Sequence, residues 1–142
     1  MLRMLVLTDG SEGANHAVRH AMAQIPLYRE PVEIHLLNVQ LPIASGNVRK
    51  FFSHEELNSY YQDEGLAALA GARKLLDAAG VPYHYHVGVG DIAETVARYA
   101  AEKQCGQVVM GTRGMGGLAN VLLGSVAAKV IHAVSVPVVL VK

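Results

Sequence analysis

The sequence predicts an α/β protein in which a parallel sheet is covered by helices on both faces. Short, almost continuously apolar runs are typical of strands that are buried on both sides. Between them lie segments whose apolar residues recur every three or four positions, as on one face of a helix. The two patterns alternate strictly along the chain, which favours right-handed crossovers between parallel strands.

The first strand and helix are predicted at the N-terminus. Residues 3–8 form an apolar run, and Asp9-Gly10-Ser11 follows as a turn with side chains suited to capping a helix. From Ala14 onward the apolar residues keep the spacing of one helical face. Pro26 is expected to end this helix.

The second unit is longer. Residues 32–39 are rich in β-branched and aliphatic side chains and predict a strand, whereas residues 41–52 predict a loop. Ser53 and Glu56 have the spacing of a capping box, so a long helix should run from there to about Ala79. Gly65 and Gly71 are expected to weaken this helix internally.

The remaining elements complete a five-stranded sheet. Residues 83–89 alternate bulky residues with His and Gly, which predicts a third strand with one less buried face. Asp91 and Glu94 form a second capping box for a helix that continues to Gly106. The last predictions are a strand at 107–110, a helix at 125–133 and a strand at 137–141.

Composition narrows the possible partners. The 142 residues contain twelve Lys and Arg against twelve Asp and Glu, so the chain has no net field for nucleic acid or an anionic membrane. Cys105 is the single cysteine and is expected to be an apolar filler. No apolar run has the length of a signal sequence or a membrane span, so a cytoplasmic protein is expected.

A glycine-rich segment suggests an anion site. Gly111 and Gly114 permit close approach of the backbone, and after nine residues Gly124-Ser125 opens a helix. A helix N-terminus carries partial positive charge and binds phosphate readily. The composition alone is equally compatible with glycines that only give mobility to a surface loop.

The spacing of this segment resembles a known motif. Gly111-x-x-Gly114-x9-Gly124-Ser125 is similar to the ATP-binding G-2x-G-9x-G-(S/T) motif of universal stress proteins, and Met1 to Ser11 is similar to their opening strand and turn. The resemblance covers essentially the whole chain. It implies one domain over residues 1–142, a Rossmann-like open twisted sheet of strand order 3-2-1-4-5, and membership of the subgroup that holds ATP.

The resemblance also implies a set of binding residues. Asp9 would lie near the ribose or adenine and Val39 against the base, while Met110 would line the ribose side and Arg113 could reach a phosphate. Mg²⁺ or Mn²⁺ could accompany the phosphates. The full implied set is Thr8, Asp9, Val39, Met110, Gly111, Arg113, Gly114, Gly124, Ser125 and Val126.

A regulatory module that binds ATP or AMP is the function that the resemblance favours, with an unknown regulated protein as partner. Fast phosphoryl transfer needs a charge clamp and a positioned base, whereas the glycine-rich loop offers only Arg113 and no paired carboxylates. The alternatives are a slow metal-dependent ATPase, a dimeric scaffold with an empty site and, more distantly, an electron-transfer flavoprotein. The resemblance also implies that the apolar strand at residues 137–141 forms an edge of the sheet, which predicts a homodimer.

Two histidine pairs and one glycine pattern suggest other kinds of site. His84 and His86 share one side of a strand, and His16 and His20 lie four apart on a helix, so either pair could supply two metal ligands. Neither pair has a third ligand nearby in the sequence, which favours solvated or half-buried imidazoles and no metal site. Gly88-x-Gly90 resembles a dinucleotide fingerprint, but the next strand lacks the acidic residue that would hold a ribose.

Overall fold

A computed structural model describes residues 1–43, 46–112 and 123–142 of the chain. The strands are β1 (Leu2–Leu7), β2 (Val32–Gln40), β3 (Tyr83–Val89), β4 (Gln107–Gly111) and β5 (Val138–Val141). The α-helices are α1 (Glu12–Gln24), α2 (Gly46–Lys50), α3 (His54–Ala78), α4 (Ile92–Glu102) and α5 (Ser125–Ala133).

The five strands form one parallel sheet in the order β3-β2-β1-β4-β5. This confirms the predicted fold class and strand order. β1 lies at the centre and pairs with β2 along six residues and with β4 along three. The winding direction reverses at β1, so the crossover helices fall on opposite faces of the sheet.

Two hydrophobic cores cover the two faces. On one face α1 and α3 pack against β1 and β2, and on the other α4 and α5 pack against the same strands and β4. Alternation along β1 divides its side chains between them, since Met4 and Val6 face α1 and α3 while Leu5 faces α4 and α5. The first core also contains Ala17, Val18, Ala21, Ile34, Leu36, Leu69, Ala72, Leu76 and Val109.

Polar side chains fix the starts of three helices where the sequence predicts them. Ser11 accepts a hydrogen bond from the N–H of Ala14, and Asp91 accepts one from the N–H of Glu94. At α3 both halves of the capping box form, because Ser53 accepts from Glu56 N–H and the Glu56 carboxylate accepts from Ser53 N–H. These bonds satisfy amide groups that a helix leaves without internal partners.

The prediction of a loop over residues 41–52 is wrong for part of that range. Residues 46–50 form the one-turn helix α2, and the N–H groups of Phe51 and Phe52 bond to the carbonyl groups of Val48 and Arg49. Five exposed residues have no apolar face, so the periodicity that reveals a helix is absent. α4 is also shorter than predicted, because Gln104 has a φ of 53° and ends the helical path before Gly106.

Gly65 has a packing role in α3 that its sequence position does not reveal. A Cβ atom at this position would lie 2.4 Å from Cγ1 and 2.6 Å from Cγ2 of Val87 on β3. The missing side chain therefore lets α3 lie directly against the sheet. Gly71, six residues later, has only ordinary contact distances of 3.5 Å and more, to the side chain of Asn15.

Cys105 lies just before β4 and is buried in the core beneath α4 and α5. Its N–H donates to the carbonyl of Ala100 at 2.8 Å. Burial raises the pKa of the thiol to about 11. The predicted role as an apolar filler agrees with this placement.

We expect Gly65→Ala and Gly71→Ala to change stability in opposite directions. The first forces a methyl group into the stiff, β-branched Val87 and should lower the free energy of unfolding by about 1–3 kcal/mol. The second gains helix propensity without a clash and should raise it by roughly 0.5–1 kcal/mol. Urea unfolding of both variants tests this, and equal gains in both would show that α3 has room at Gly65.

Candidate functional site

The carboxyl ends of β1 and β4 meet at the point where the winding reverses. Val6 lies beside Val109 in the parallel ladder, and two further residues in the same register bring Thr8 level with Gly111. Ligands of open α/β sheets bind in this position, because the two loops leave in opposite directions and a crevice opens between them. Several predicted site residues therefore converge at one edge.

Thr8 is held firmly at this edge, yet its hydroxyl has no partner. Its N–H donates to the carbonyl of Leu37 at 3.0 Å, and its carbonyl accepts from the Asn38 side chain at 2.8 Å. The side chain is buried, with 4% of its surface exposed, and Oγ1 makes no hydrogen bond to any described atom. A buried polar group in this state is costly and is usually satisfied by water or a ligand.

Asp9 and Gly10 form the turn that leads from β1 into α1. The Asp9 carboxylate is exposed and accepts from the N–H of Ser11 at 2.9 Å. Gly10 has a φ of +86°, a conformation that other residues rarely adopt, and it lies against the backbone of Ala68 in α3. The turn is thus fixed by a side-chain bond, a glycine and a neighbouring helix.

The start of α5 differs from the starts of α1, α3 and α4. Its N-cap is Gly124, and no side chain in the described part of the chain caps it. The N–H of Gly124 donates to the carbonyl of Thr112 at 2.6 Å, which ties this helix end to the residue that follows β4. Ser125 is exposed and Val126 is half-buried, so the first turn of α5 is accessible from solvent.

The remaining predicted residues are placed as follows. Val39 is half-buried near the end of β2 and packs against the core under α4 and α5. Met110 is 4% exposed, so its side chain belongs to the core and only its backbone lies near the crevice. Arg113 and Gly114 lie outside the described residues.

A second polar cluster lies toward the amino ends of β2 and β3, at the other end of the sheet. Glu33 Oε1 lies 2.6 Å from Nε2 of His35, 3.7 Å from Nε2 of His84 and 3.2 Å from Nε of Arg3. His35 Nδ1 lies 2.9 Å from Nε2 of His86. Of this cluster, the sequence pattern points only to His84 and His86, because the other members belong to other strands.

The surroundings of this cluster shift several pKa values. Burial lowers the pKa of His86 to about 4, with further lowering by His35 and Lys103. Burial also lowers the pKa of His35, against the opposing effect of Glu33. The hydrogen bond between Glu33 and His35 lowers the pKa of the Glu33 carboxyl.

A comparison with known protein families places the chain. The family described as the universal stress protein family matches residues 1–142. The chain belongs to the universal stress protein family. The family membership predicted from Gly111, Gly124 and the opening strand is therefore confirmed.

Individual universal stress proteins agree with this assignment. One from Methanocaldococcus jannaschii is 32% identical over 145 residues, which cover 99% of this chain and 81% of that protein. Among solved structures, hypothetical protein MJ0577 is 28% identical, with a TM-score of 0.83 and coverage of 99% of this chain and 95% of that one. The shared architecture is the Rossmann-like α/β fold described above.

Some universal stress protein structures contain nucleotides. One is a complex with cAMP, with 23% identity, a TM-score of 0.71 and coverage of 99% of this chain and 97% of that one. Another, from Archaeoglobus fulgidus, is a complex with dAMP, with 22% identity, a TM-score of 0.67 and coverage of 100% and 98%.

Among the described residues, no helix is long and apolar enough to cross a membrane.

We expect this universal stress protein to lose stability as the pH falls from about 6.5 toward 4. The unfolded chain takes up a proton at His86 near its usual pKa of 6.5, while the folded chain does not until about 4. Protonation thus favours the unfolded state, with a loss on the order of 2 kcal/mol. Urea unfolding across this range, with a chelator present, measures the slope.

Two variants test the origin of the slope. His86→Gln removes the group that titrates and should flatten the decline, whereas His16→Gln alters an exposed histidine on α1 and should keep it. Glu33 should also reduce stability, but at lower pH. The pKa of its carboxyl in the folded chain lies below the usual 4.5, so protonation below pH 4.5 favours the unfolded state. His35, whose pKa is also lowered, contributes a decline of the same sign. The assignment to His86 is therefore refuted if His86→Gln leaves the slope at its wild-type value.

Proposed function

We propose that this universal stress protein binds an adenine nucleotide, ATP or AMP, at the crevice between β1 and β4 and acts as a regulatory module. The N-terminus of α5 is the observation that carries this proposal. Among the long helices that the structure describes, α5 alone has no side-chain cap at its start. A phosphate group would supply acceptor oxygens to these amide groups and would interact favourably with the helix dipole.

The position of α5 supports a phosphate at this helix rather than simple solvation. Thr112 follows β4 directly, and its carbonyl holds Gly124, so the helix start lies at the crevice. The dinucleotide fingerprint around Gly90 offers no such site, since Asp91 already caps α4. Gly111, Gly114, Gly124 and Ser125 are therefore the proposed phosphate side, with Arg113 as a further contact.

Thr8 and Asp9 are the proposed nucleoside side. The orphaned hydroxyl of Thr8 at the carboxyl edge has the chemistry to bond a ribose or base atom, and Asp9 is exposed beside it. Val39 would supply an apolar wall near the end of β2. The structures with cAMP and dAMP show that this fold accommodates adenine nucleotides in other family members.

A regulatory role fits the described chemistry better than rapid catalysis. Asp9 is the acidic side chain that the proposal places at the site, and one of its oxygens already accepts from Ser11 N–H. Rapid phosphoryl transfer needs a positioned base together with cationic groups on the transferred phosphate. Occupancy of the crevice, read by a regulated protein, is the function that these residues support.

We expect Thr8→Val to weaken ATP binding while it stabilises the free protein. The change keeps the shape of the side chain and removes a buried hydroxyl without a partner, so the free energy of unfolding should rise by about 1 kcal/mol. Loss of one hydrogen bond to the nucleotide should reduce affinity roughly tenfold. Calorimetry with ATP and Mg²⁺, and urea unfolding without them, provide the two measurements.

Two further variants bracket this result. Thr8→Ser keeps the hydroxyl and should retain most of the affinity, although it loses a buried methyl group. Gly124→Val places a branched side chain at the helix start and should abolish binding while the fold persists. Wild-type affinity in both Thr8→Val and Gly124→Val would reject this crevice as the nucleotide site.

We also propose a homodimer through the free edge of β5. This strand pairs with β4, no other described strand covers its outer edge, and its four apolar residues remain half-exposed. The carbonyl groups of Pro137 and Val141 accept hydrogen bonds from β4 and the residue after it. Backbone groups alternate sides along a strand, so those of Val139 also face β4. The N–H and C=O groups of Val138 and Leu140 therefore face outward. Two-fold antiparallel pairing would satisfy these outward groups.

Leu140→Pro should therefore convert the dimer to monomer. Proline removes an outward N–H and is tolerated on an edge strand whose N–H faces solvent. Leu140→Ala is the matched control, because it loses the same side-chain packing and keeps the N–H. Light scattering at micromolar concentration should give dimer for the wild type and for Leu140→Ala; a monomeric wild type would refute the proposal.

A further inference from the structure

The amino-end cluster combines side chains from adjacent strands at fixed positions. His35 and His84 are direct neighbours in the β2–β3 ladder, and Glu33 lies two residues before His35 on the same face of β2. The two imidazole rings stack with centroids 4.7 Å apart. Val39, on the nucleotide side, lies four residues further along β2, at a distance of about 13 Å. The cluster and the crevice are therefore separate places in the fold.

We propose that Glu33, His35 and His84 bind a Zn²⁺ ion. One carboxylate oxygen and two imidazole nitrogens, all within 4.8 Å of one another, form the donor set. Imidazole and carboxylate are common Zn²⁺ ligands, and three protein ligands leave a fourth position for water. With Zn–ligand distances of about 2.0–2.1 Å, tetrahedral geometry places the donor atoms roughly 3.3 Å apart. Shifts of about 1 Å would reach this arrangement.

The cluster combines one fixed ligand with one adjustable ligand. His35 is buried, with 7% of its side chain exposed, whereas the side chain of His84 is 59% exposed and can rotate toward the ion. His35 also has an orienting partner, because its Nδ1 contacts His86 Nε2 at 2.9 Å. Metal binding replaces the bond from His35 Nε2–H to the Glu33 carboxylate. The imidazole then carries its proton on Nδ1, which donates to His86, and the Nε2 lone pair is left for the metal. His86 is thus a positioning residue for the site.

Arg3 is the group that opposes the metal. Its Nε donates to the same Glu33 oxygen at 3.2 Å, and its guanidinium would lie a few ångströms from a divalent ion. Zn²⁺ binding must displace this bond or move it to the other carboxylate oxygen. Removal of Arg3 should consequently strengthen metal binding, whereas a cluster that only stabilises the fold gains nothing from that change.

The first experiment is calorimetric titration of untagged, metal-free full-length protein with Zn²⁺. We expect one ion per chain. His84→Ala removes an exposed ligand with little risk to the fold, and Glu33→Gln keeps the shape of the carboxylate; each should lower the affinity at least about tenfold. The matched control is His16→Ala/His20→Ala, which removes the other histidine pair and should leave the affinity unchanged.

Arg3→Gln should change the Zn²⁺ affinity in the opposite direction from His84→Ala and Glu33→Gln. It should raise the Zn²⁺ affinity on the order of tenfold, since it removes a cation beside the ion. In the wild type, ¹⁵N NMR of the imidazoles should show Zn²⁺-dependent shifts of Nε2 in His35 and His84. Equal affinity in the wild type and His84→Ala, or a weaker site in Arg3→Gln with its fold retained by circular dichroism, would overturn the proposal.

The test is independent of the nucleotide site. Thr8→Val changes the opposite end of the sheet and should leave the Zn²⁺ affinity at its wild-type value. A lower affinity in this variant would place the ion at the crevice instead and would refute the proposed ligand set.

Discussion

The pairing of β1 on both of its edges is the constraint on which the remaining structure depends. Leu5 and Val6 have no exposed surface, and their backbone groups are shared between β2 and β4. Because the chain winds outward from β1 in both directions, α1 and α3 must cover one face and α4 and α5 the other. The same reversal separates the loops after β1 and β4. Stability and the candidate binding crevice therefore have one structural origin.

Much of the fold could be predicted because its signals are local. Ser53 and Glu56 lie three residues apart, so their reciprocal hydrogen bonds are visible in the sequence and the start of α3 follows. The strands were equally evident from their apolar runs. α2 could not be predicted, as five exposed residues carry no periodicity. Gly65 and Val87 lie twenty-two positions apart in the sequence, and only the packed structure shows why a glycine is needed at position 65.

The candidate sites divide in the same way. Gly111, Gly124 and the opening turn could be located from spacing and resemblance, but the unpartnered hydroxyl of Thr8 depends on what its neighbours leave unsatisfied. The histidine pair on β3 lacked a third ligand in the sequence nearby. Two of the three proposed ligands, Glu33 and His35, belong to β2, and the register that sets His84 beside His35 is a tertiary property. Cross-strand chemistry of this kind is invisible to a search along one segment.

The burial of Cys105 has a consequence for how the protein withstands oxidants. The reactive form of cysteine is the thiolate, and a pKa of about 11 leaves only about one thiol in ten thousand ionised at pH 7. The sulfur is also shielded by the core under α4 and α5. Peroxide and disulfide reagents therefore find neither a nucleophile nor an accessible surface at the single cysteine. Oxidation of this thiol therefore requires that the core around it open first.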